Sequence, residues 1–159
     1  MSEKVYISKS SHGQGVFAKE LIVPREHIFY MNGQQIDFEQ SISYMWEYSV
    51  QIGVKTYVDP ISPARYLNHS CSPNAGFVND ISLIALDRIQ PGEEIRFDYS
   101  TTMLERHWEL DCACGARQCR RRIRDFDLLP YPLQDYYVRL GVVQGFILNE
   151  IAALNPMAA

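Results

Sequence analysis

The chain lacks any uninterrupted run of about 18 apolar residues, and its opening, MSEKVYISKSSHGQG, holds no apolar stretch long enough for a signal peptide. The expectation is a soluble intracellular protein, cytoplasmic or nuclear, with no membrane contact. Internal repeats, low-complexity tracts and Pro/Gly-rich linkers are also missing, which excludes a solenoid and leaves one domain for 159 residues. Basic excess is missing too. A net charge of -4 disfavours direct nucleic-acid binding and favours a basic partner. Cysteine is scarce, and four thiols in an intracellular chain of this size point to metal ligands or buried thiols before disulfides.

What is present is a succession of short apolar segments broken by turn chemistry. VYIS (5–8), GVFA (15–18), HIFYM (27–31), YSVQI (48–52), KTYVD (55–59), GFVN (76–79), SLIALD (82–87) and EIRFDY (94–99) read as strands. His12-Gly13-Gln14-Gly15, Asn32-Gly33, Asn79-Asp80 and Pro91-Gly92 are among the turns that separate them. The fold class is therefore mainly β, with small sheets. A short helix is expected around residues 37–47. From Leu133 the pattern changes: Tyr137, Leu140, Val143, Ile147, Ile151 and Leu154 follow at spacings of three and four, predicting one amphipathic helix that ends before Asn155-Pro156. Gly141 and Gly145, four apart on that helix, would let another helix approach closely, so a homodimer face is the alternative to covering the chain's own core.

Cys112, Cys114 and Cys119 form C-x-C-x4-C around Gly115, and the remaining cysteine is Cys71 in RYLNHSCSPN (65–74). Structural zinc takes four ligands, commonly all thiolate, so three clustered cysteines are one short and Cys71 completes the set. His107 or His69 in place of Cys71 remains open, as do thiols without a metal. A zinc site would tie the loop at residue 71 to a segment about 41 residues later, and so couple folding of the tail to that loop.

Those residues also resemble a known family. N-H-S-C-x-P-N (68–74), G-E-E-I-x-x-D-Y (92–99) and C-x-C-x4-C (112–119), together with G-x-G-V-F-A (13–18), are similar in order and separation to the SET-domain protein lysine methyltransferases. The resemblance covers residues 4 to 122. It implies a fold of several small twisted sheets with a knot-like junction, a rare exception to unthreaded connectivity. It implies a SET domain over residues 1–110, a post-SET zinc-binding loop over 111–124 and a C-terminal helical extension over 125–159.

The resemblance further implies S-adenosylmethionine as cofactor, one structural Zn2+ and a lysine in a basic, histone-like tail as substrate. It places Tyr99 as the catalytic residue. It assigns His12, Gly13, Gln14, Gly15, Arg65, Tyr66, Asn68, His69 and Tyr99 to the cofactor, and Phe97, Tyr30 and Tyr48 to the walls of a lysine channel. A Phe at position 97, where relatives with Tyr stop early, implies room for a second or third methyl group. Trp108 either closes over the cofactor or packs. Two readings from other classes stand beside this one: a catalytically silent SET-like module that binds a basic peptide, and a zinc-dependent nucleic-acid binder using the arginine run at 117–124.

Overall fold

The computed structural model describes residues 3–45, 48–106 and 108–154. Each apolar segment named above contains a strand. In chain order these are β1 (Val5–Ser10), β2 (Gly13–Ala18), β3 (His27–Tyr30), β4 (Gly33–Asp37), β5 (Val50–Gly53), β6 (Thr56–Pro60), β7 (Asn68–His69), β8 (Ala75–Val78), β9 (Ser82–Ala85), β10 (Glu94–Phe97), β11 (Leu110–Asp111) and β12 (Arg122–Ile123). They form small sheets in the orders β1-β2-β10-β7, β3-β9-β8, β4-β6-β5 and β11-β12. β4 was not expected, because GQQID carries one buried apolar side chain, Ile36; it exists through five residues of register with β6. Tertiary pairing overrides a weak local pattern there.

The main core is built where the inward residues of these sheets meet. Val16, Ala18, Ile22, Ala75, Leu83, Ala85, Ile89 and Ile95 are fully enclosed, with Phe77 and Phe97 beside them. Each large aliphatic side chain among them contributes about 1.5–3 kcal/mol by leaving water. β7 pairs in parallel with β10, Asn68 opposite Arg96 and His69 opposite Phe97, and Ser70 N–H continues the ladder to Phe97 O at 3.0 Å. On the far side of that short strand lie Cys112, Cys114 and Arg120 from the tail. The segment at 68–71 is thus held between β10 and the tail, which is the junction the sequence motifs anticipate.

The expected helix at 37–47 is shorter than its pattern. Asp37 accepts from Gln40 N–H and Gln40 answers to Asp37 N–H, a capping box that starts α1 (Phe38–Gln40), followed by a π-helical turn at Ser41–Met45. Trp46 and Glu47 lie outside the described residues. The single C-terminal helix is a correction: the chain forms α2 (Tyr131–Leu140) and α3 (Gly145–Leu154), because Gly141 takes the left-handed conformation at φ 73° and ends α2. Gly145 then starts α3, its N–H bonded to Asp80 Oδ1 at 2.7 Å. The two glycines therefore share no helix face.

Both helices cover a second core of Phe126, Leu129, Tyr137, Val142, Val143 and Ile147, with Val78 and Leu86 packed on it from the sheet side. A buried carboxylate joins that core to the junction. Asp98, 1% exposed, accepts two hydrogen bonds from the Arg120 guanidinium at 2.8 Å each, one from Tyr137 Oη at 2.8 Å and one from Ser100 N–H. Arg122 pairs with Glu109 and Asp111, and Arg124 with Glu109. Three arginines of the run, Arg120, Arg122 and Arg124, are thus paired with the chain's own acids. Among the described residues no helix is long and apolar enough to cross a membrane.

Candidate active site

β10 runs into a 3-10 turn at Tyr99–Thr102, started by the Asp98 side chain, and this turn places Tyr99 on the lining of a cleft. The ring lies 4.9 Å from Phe97 and 5.3 Å, edge-on, from His69. Its hydroxyl donates to Leu67 O at 2.7 Å. Burial, followed by the charge of Glu94, pushes the phenol pKa far above its usual value. Tyr99 is therefore a neutral phenol whose one proton is committed to a carbonyl, and whose oxygen lone pairs remain to face whatever enters the cleft.

The cleft is partly open to solvent. Tyr48, Tyr57, Leu67, Phe97, Met103 and Trp108 supply apolar walls, with Arg65 and Glu105 as the charged groups on its lining. That lining, mostly apolar with a few placed polar groups, has the balance of a small-molecule site. Phe97 is braced edge-on by Phe77 at 5.1 Å. Arg65 lies 4.1 Å over the Tyr48 ring and pairs with Asp59 at 2.6 Å, so one cation orients one wall. Tyr57, 3% exposed, donates its hydroxyl to Glu105 Oε2 at 2.8 Å, and burial with that neighbouring charge pushes its pKa well up.

The glycine-bounded turn is the tip of the β1–β2 hairpin, where Ser10 pairs with Gly13. Gly15 lies against the Glu94 side chain. A Cβ there would collide with the Glu94 carboxylate, which accepts from Ser10 Oγ and Asn68 Nδ2 at 2.8 Å each. Asn68 Nδ2 also donates to Gln14 O at 2.9 Å, so its amide clamps β2 against β7. His12 Nε2 stands 3.2 Å from Ala113 O, which sets the hairpin tip against the cysteine loop.

That loop brings the four thiols together. Cys71 Sγ lies 3.8 Å from Cys112 Sγ, which lies 3.6 Å from Cys119 Sγ, while Cys114 Sγ accepts from Cys71 N–H at 3.4 Å. A tetrahedral zinc with bonds near 2.3 Å spaces its sulfurs by about 3.8 Å, so the donor set fits that ion. Backbone N–H groups of Arg120 and Arg121 also point at Cys71 and Cys119 sulfurs, at 3.4 and 3.5 Å, where they would stabilise thiolates. The Cys114 thiol is lowered to about 7, burial being outweighed by backbone N–H bonds from Cys71 and Ala116, whereas burial raises Cys71 to about 11. His69 joins Cys71, Cys112 and Cys114 within 4.8 Å. Its Nδ1 accepts from Tyr99 N–H at 3.2 Å and its Nε2 stands 3.3 Å from Cys71 Sγ.

The family model for the SET domain matches residues 13–100, from the hairpin tip to the residue after Tyr99. The chain belongs to the SET domain family. It is 29% identical over 142 residues to a probable histone-lysine N-methyltransferase, set-23, of Caenorhabditis briggsae, covering 72% of this chain and 57% of that protein. It is 35% identical over 127 residues to the histone-lysine N-methyltransferase Set2 of Drosophila melanogaster, covering 68% of this chain and 5% of that protein. The chain thus spans just over half of the first relative and a small part of the second. Among solved structures, Arabidopsis thaliana SUVH6 in complex with S-adenosylmethionine superposes with TM-score 0.62 at 25% identity, covering 76% of this chain and 32% of that one. KRYPTONITE in complex with methylated DNA, an H3(1-15) peptide and S-adenosylhomocysteine gives TM-score 0.60 at 26% identity, covering 76% and 29%.

Within this SET domain, the expected residues sort by position. Tyr99, Phe97, Tyr48 and Arg65 meet at the cleft. Tyr30 does not: it is 56% exposed, tilted against the His27 ring at 4.3 Å and paired with Ser82, and it forms no part of the cleft wall. Tyr66 packs against the main core instead of lining the cleft. The His69 ring is buried between Tyr99 and Cys71, and neither it nor Asn68, His12, Gly13, Gln14 or Gly15 is among the residues that line the cleft. Sequence reasoning passed over Tyr57, Glu94 and Glu105. Glu94 sits inside the G-E-E-I motif, and its place against a glycine was a usable signal. Tyr57 meets Glu105 from 48 residues away, and no local pattern announces that pair.

Proposed function

We propose that the protein is an S-adenosylmethionine-dependent protein lysine N-methyltransferase that acts on a lysine in a basic, histone-like tail and adds more than one methyl group. The observation that carries the reading is the Tyr99 phenol, neutral and pinned through its hydroxyl to Leu67 O, on the lining of an aromatic cleft in a SET domain.

Arg65, Trp108 and Tyr99 on the cleft lining, together with the Gln14 segment and the backbone at Asn68–His69 outside that lining, are the groups that would hold the cofactor. Bound there, S-adenosylmethionine supplies a methyl on a sulfonium, an electrophile that needs no acid. The chain's task is alignment and exclusion of water. In-line displacement requires the amine and the methyl on one axis, and the enclosing rings of Tyr48, Tyr57 and Phe97 narrow the approach of a lysine side chain to a single line. The Tyr99 oxygen, its proton directed at Leu67, offers lone pairs to a polarised methyl. A lysine with a solution pKa near 10.4 must enter neutral, and desolvation between aromatic walls lowers that value. Tyr99 is not the base, since its own pKa is raised. Phe97 presents no hydroxyl, which leaves space and no hydrogen-bond partner to hold a methylated amine back.

Transfer of labelled methyl from S-adenosylmethionine to a panel of histones and lysate proteins tests the reading, with Tyr99→Phe beside the wild type. Label on lysine in the wild type and at least a hundredfold less in the variant, with equal cofactor binding, is the expected result. Equal labelling by both would overturn the role of Tyr99. Failure of the folded wild type to bind cofactor in calorimetry would overturn the enzyme.

A further inference from the structure

The turn that carries Tyr99 is shaped from within and placed from outside. Within it, Ser100 N–H donates to Asp98 Oδ1 at 3.1 Å, Thr101 Oγ1 to Asp98 O at 2.8 Å and Thr102 Oγ1 to Tyr99 O at 3.0 Å. From outside, Arg120 pairs with the Asp98 carboxylate, and two bonds come from the C-terminal segment. Tyr137 of α2, 1% exposed, donates its hydroxyl to Asp98 Oδ2 at 2.8 Å. Gln144, between α2 and α3, donates its backbone N–H to Thr101 O at 3.1 Å. One of these contacts falls on the residue before Tyr99 and the other two residues after it.

The segment that reaches the turn is itself anchored on the sheets. Gln144 Nε2 donates to Asp80 O at 2.9 Å and Gly145 N–H to Asp80 Oδ1 at 2.7 Å, both in the turn between β8 and β9, while Arg25 Nη1 donates to Leu140 O at 2.9 Å. A Cβ at Gly76 of β8 would lie 2.8 Å from Val142 Cγ1, so strand and connector are in close contact. Packed interiors deform little, and an anchored segment passes its position on to what it touches. Covering the second core does not require the polar contact to Asp98. A phenylalanine ring would fill that core as Tyr137 does, and a buried hydroxyl carries a cost unless it is hydrogen-bonded. The Tyr137 hydroxyl therefore answers to Asp98, not to the apolar residues around it.

We infer that Tyr137 is a positioning residue for methyl transfer: acting through Asp98, it fixes the turn that aims the Tyr99 hydroxyl. This rests on the methyltransferase reading and extends the working unit to a residue beyond 13–100, the span that the SET family model matches. In-line transfer is sensitive to such placement, since a misplacement of about 1 Å can cost about a hundredfold in rate. The hairpin tip and Asn68 are held by other groups, namely Glu94, Gln14 O and Ala113 O. The loss of the Tyr137 hydroxyl should therefore fall on the chemical step and spare cofactor binding.

The test uses the full chain, with Tyr137→Phe beside Ile147→Val, a control that removes a methylene from the same core and leaves the bonds to Asp98 and Thr101 intact. All variants are compared well below their unfolding midpoints. Three quantities are read: the single-turnover rate of methyl transfer to histone at saturating S-adenosylmethionine, cofactor Kd by calorimetry, and hydrogen exchange of the peptide spanning Tyr99–Thr102 by mass spectrometry. Tyr137→Phe should lower the rate about tenfold, hold Kd within about twofold and speed exchange at the turn, whereas Ile147→Val should keep the wild-type rate. In a Tyr99→Phe background Tyr137→Phe should cost less than about twofold, because the hydroxyl it aims is gone. An undiminished rate, an equal loss in Ile147→Val, a full further loss in the double variant, or unchanged exchange would each overturn the inference. A folded wild type that transfers no methyl, with exchange at the turn still faster in Tyr137→Phe, would instead sink the methyltransferase reading and leave the hold of Tyr137 on the turn standing.

Discussion

The imidazole of His69 bridges Tyr99 and Cys71, taking the Tyr99 N–H on Nδ1 at 3.2 Å and setting Nε2 3.3 Å from the Cys71 sulfur. A backbone N–H can only donate, so Nδ1 carries no proton and the hydrogen of the neutral ring is on Nε2, aimed at the sulfur. Burial, ahead of all other influences, lowers the ring's pKa to about 4, in keeping with a neutral imidazole. In this tautomer His69 has no lone pair for a metal. It donates to the Cys71 sulfur, which leaves Cys119, 3.6 Å from Cys112, as the alternative to His69 for a fourth ligand.

Cobalt(II) substitution separates the two arrangements. A four-thiolate site predicts that Cys119→Ser shifts the visible cobalt bands, whereas His69→Ala leaves their positions unchanged and loses metal to a chelator about 10–100 times more readily. Bands that move in His69→Ala and hold in Cys119→Ser would make the histidine a ligand. Removing the metal from the wild type should lower thermal stability and cofactor affinity together, because Cys71 and the 68–69 segment share one short strand and its flank.

Phe97 bears on the extent of methylation. Phe97→Tyr adds a hydroxyl to a ring braced by Phe77 and facing the cleft, where it gives a methylated amine a partner and removes space. Intact-mass spectra of a turned-over peptide should move from two or three added methyl groups to one. Wild-type product that stops at one methyl would refute the reasoning at its first step.

Asp98 is the residue on which the tail depends for stability. Asp98→Ala strips the partner from the buried Arg120 and from Tyr137 Oη together, and an uncompensated buried charge costs about 3–5 kcal/mol. Arg122→Gln breaks pairs that are about half exposed and screened by solvent, and should cost far less than Asp98→Ala. Urea unfolding of the two variants reads the difference directly, and similar midpoints would mean that the Asp98 node is not buried in solution.

Much of this architecture was legible before any coordinates, and the reason differs from part to part. Strand positions followed from alternating apolar residues, because each sheet has one face toward a core. The thiol cluster followed from spacing, because a metal demands ligands in number and type. Tyr30 was misplaced because a tyrosine at a strand end reads alike whether it faces a cleft or solvent; only the pairing of β3 with β9 decides. Tyr57, Glu105 and Asp125 stayed invisible because their meaning is mutual and their separations are long.

Alkaline pH tests the buried phenols. Tyr57 and Tyr137 both have pKa values raised above the unfolded value near 10, chiefly by burial and then by Glu105 and Asp98 respectively. A raised folded pKa means that the stability they contribute is complete below about pH 10 and is lost as pH climbs beyond it, since the unfolded chain releases those protons first. Absorbance at 295 nm should show exposed tyrosines titrating near pH 10 and a buried set ionising only as the fold is lost. In Tyr137→Phe the fall in stability above pH 10 should be shallower, and an unchanged slope would count against the Asp98 contact.

The break between α2 and α3 yields a prediction whose sign distinguishes the two descriptions of the C-terminal segment. Were residues 133–154 one helix, Gly141 would be an interior helical glycine, and Gly141→Ala would stabilise the protein by about 0.5–1 kcal/mol through helix propensity and a less flexible unfolded chain. At φ 73° the residue instead caps α2, its N–H reaching back to the Tyr137 and Val138 carbonyls. A Cβ there has open space and meets no neighbour, so the cost of alanine is conformational alone, about 1–2 kcal/mol for a left-handed residue. Thermal unfolding of Gly141→Ala should therefore show a midpoint below that of the wild type, with Gly141→Asn falling between them because asparagine tolerates the left-handed region. A rise in the alanine variant would restore the single helix.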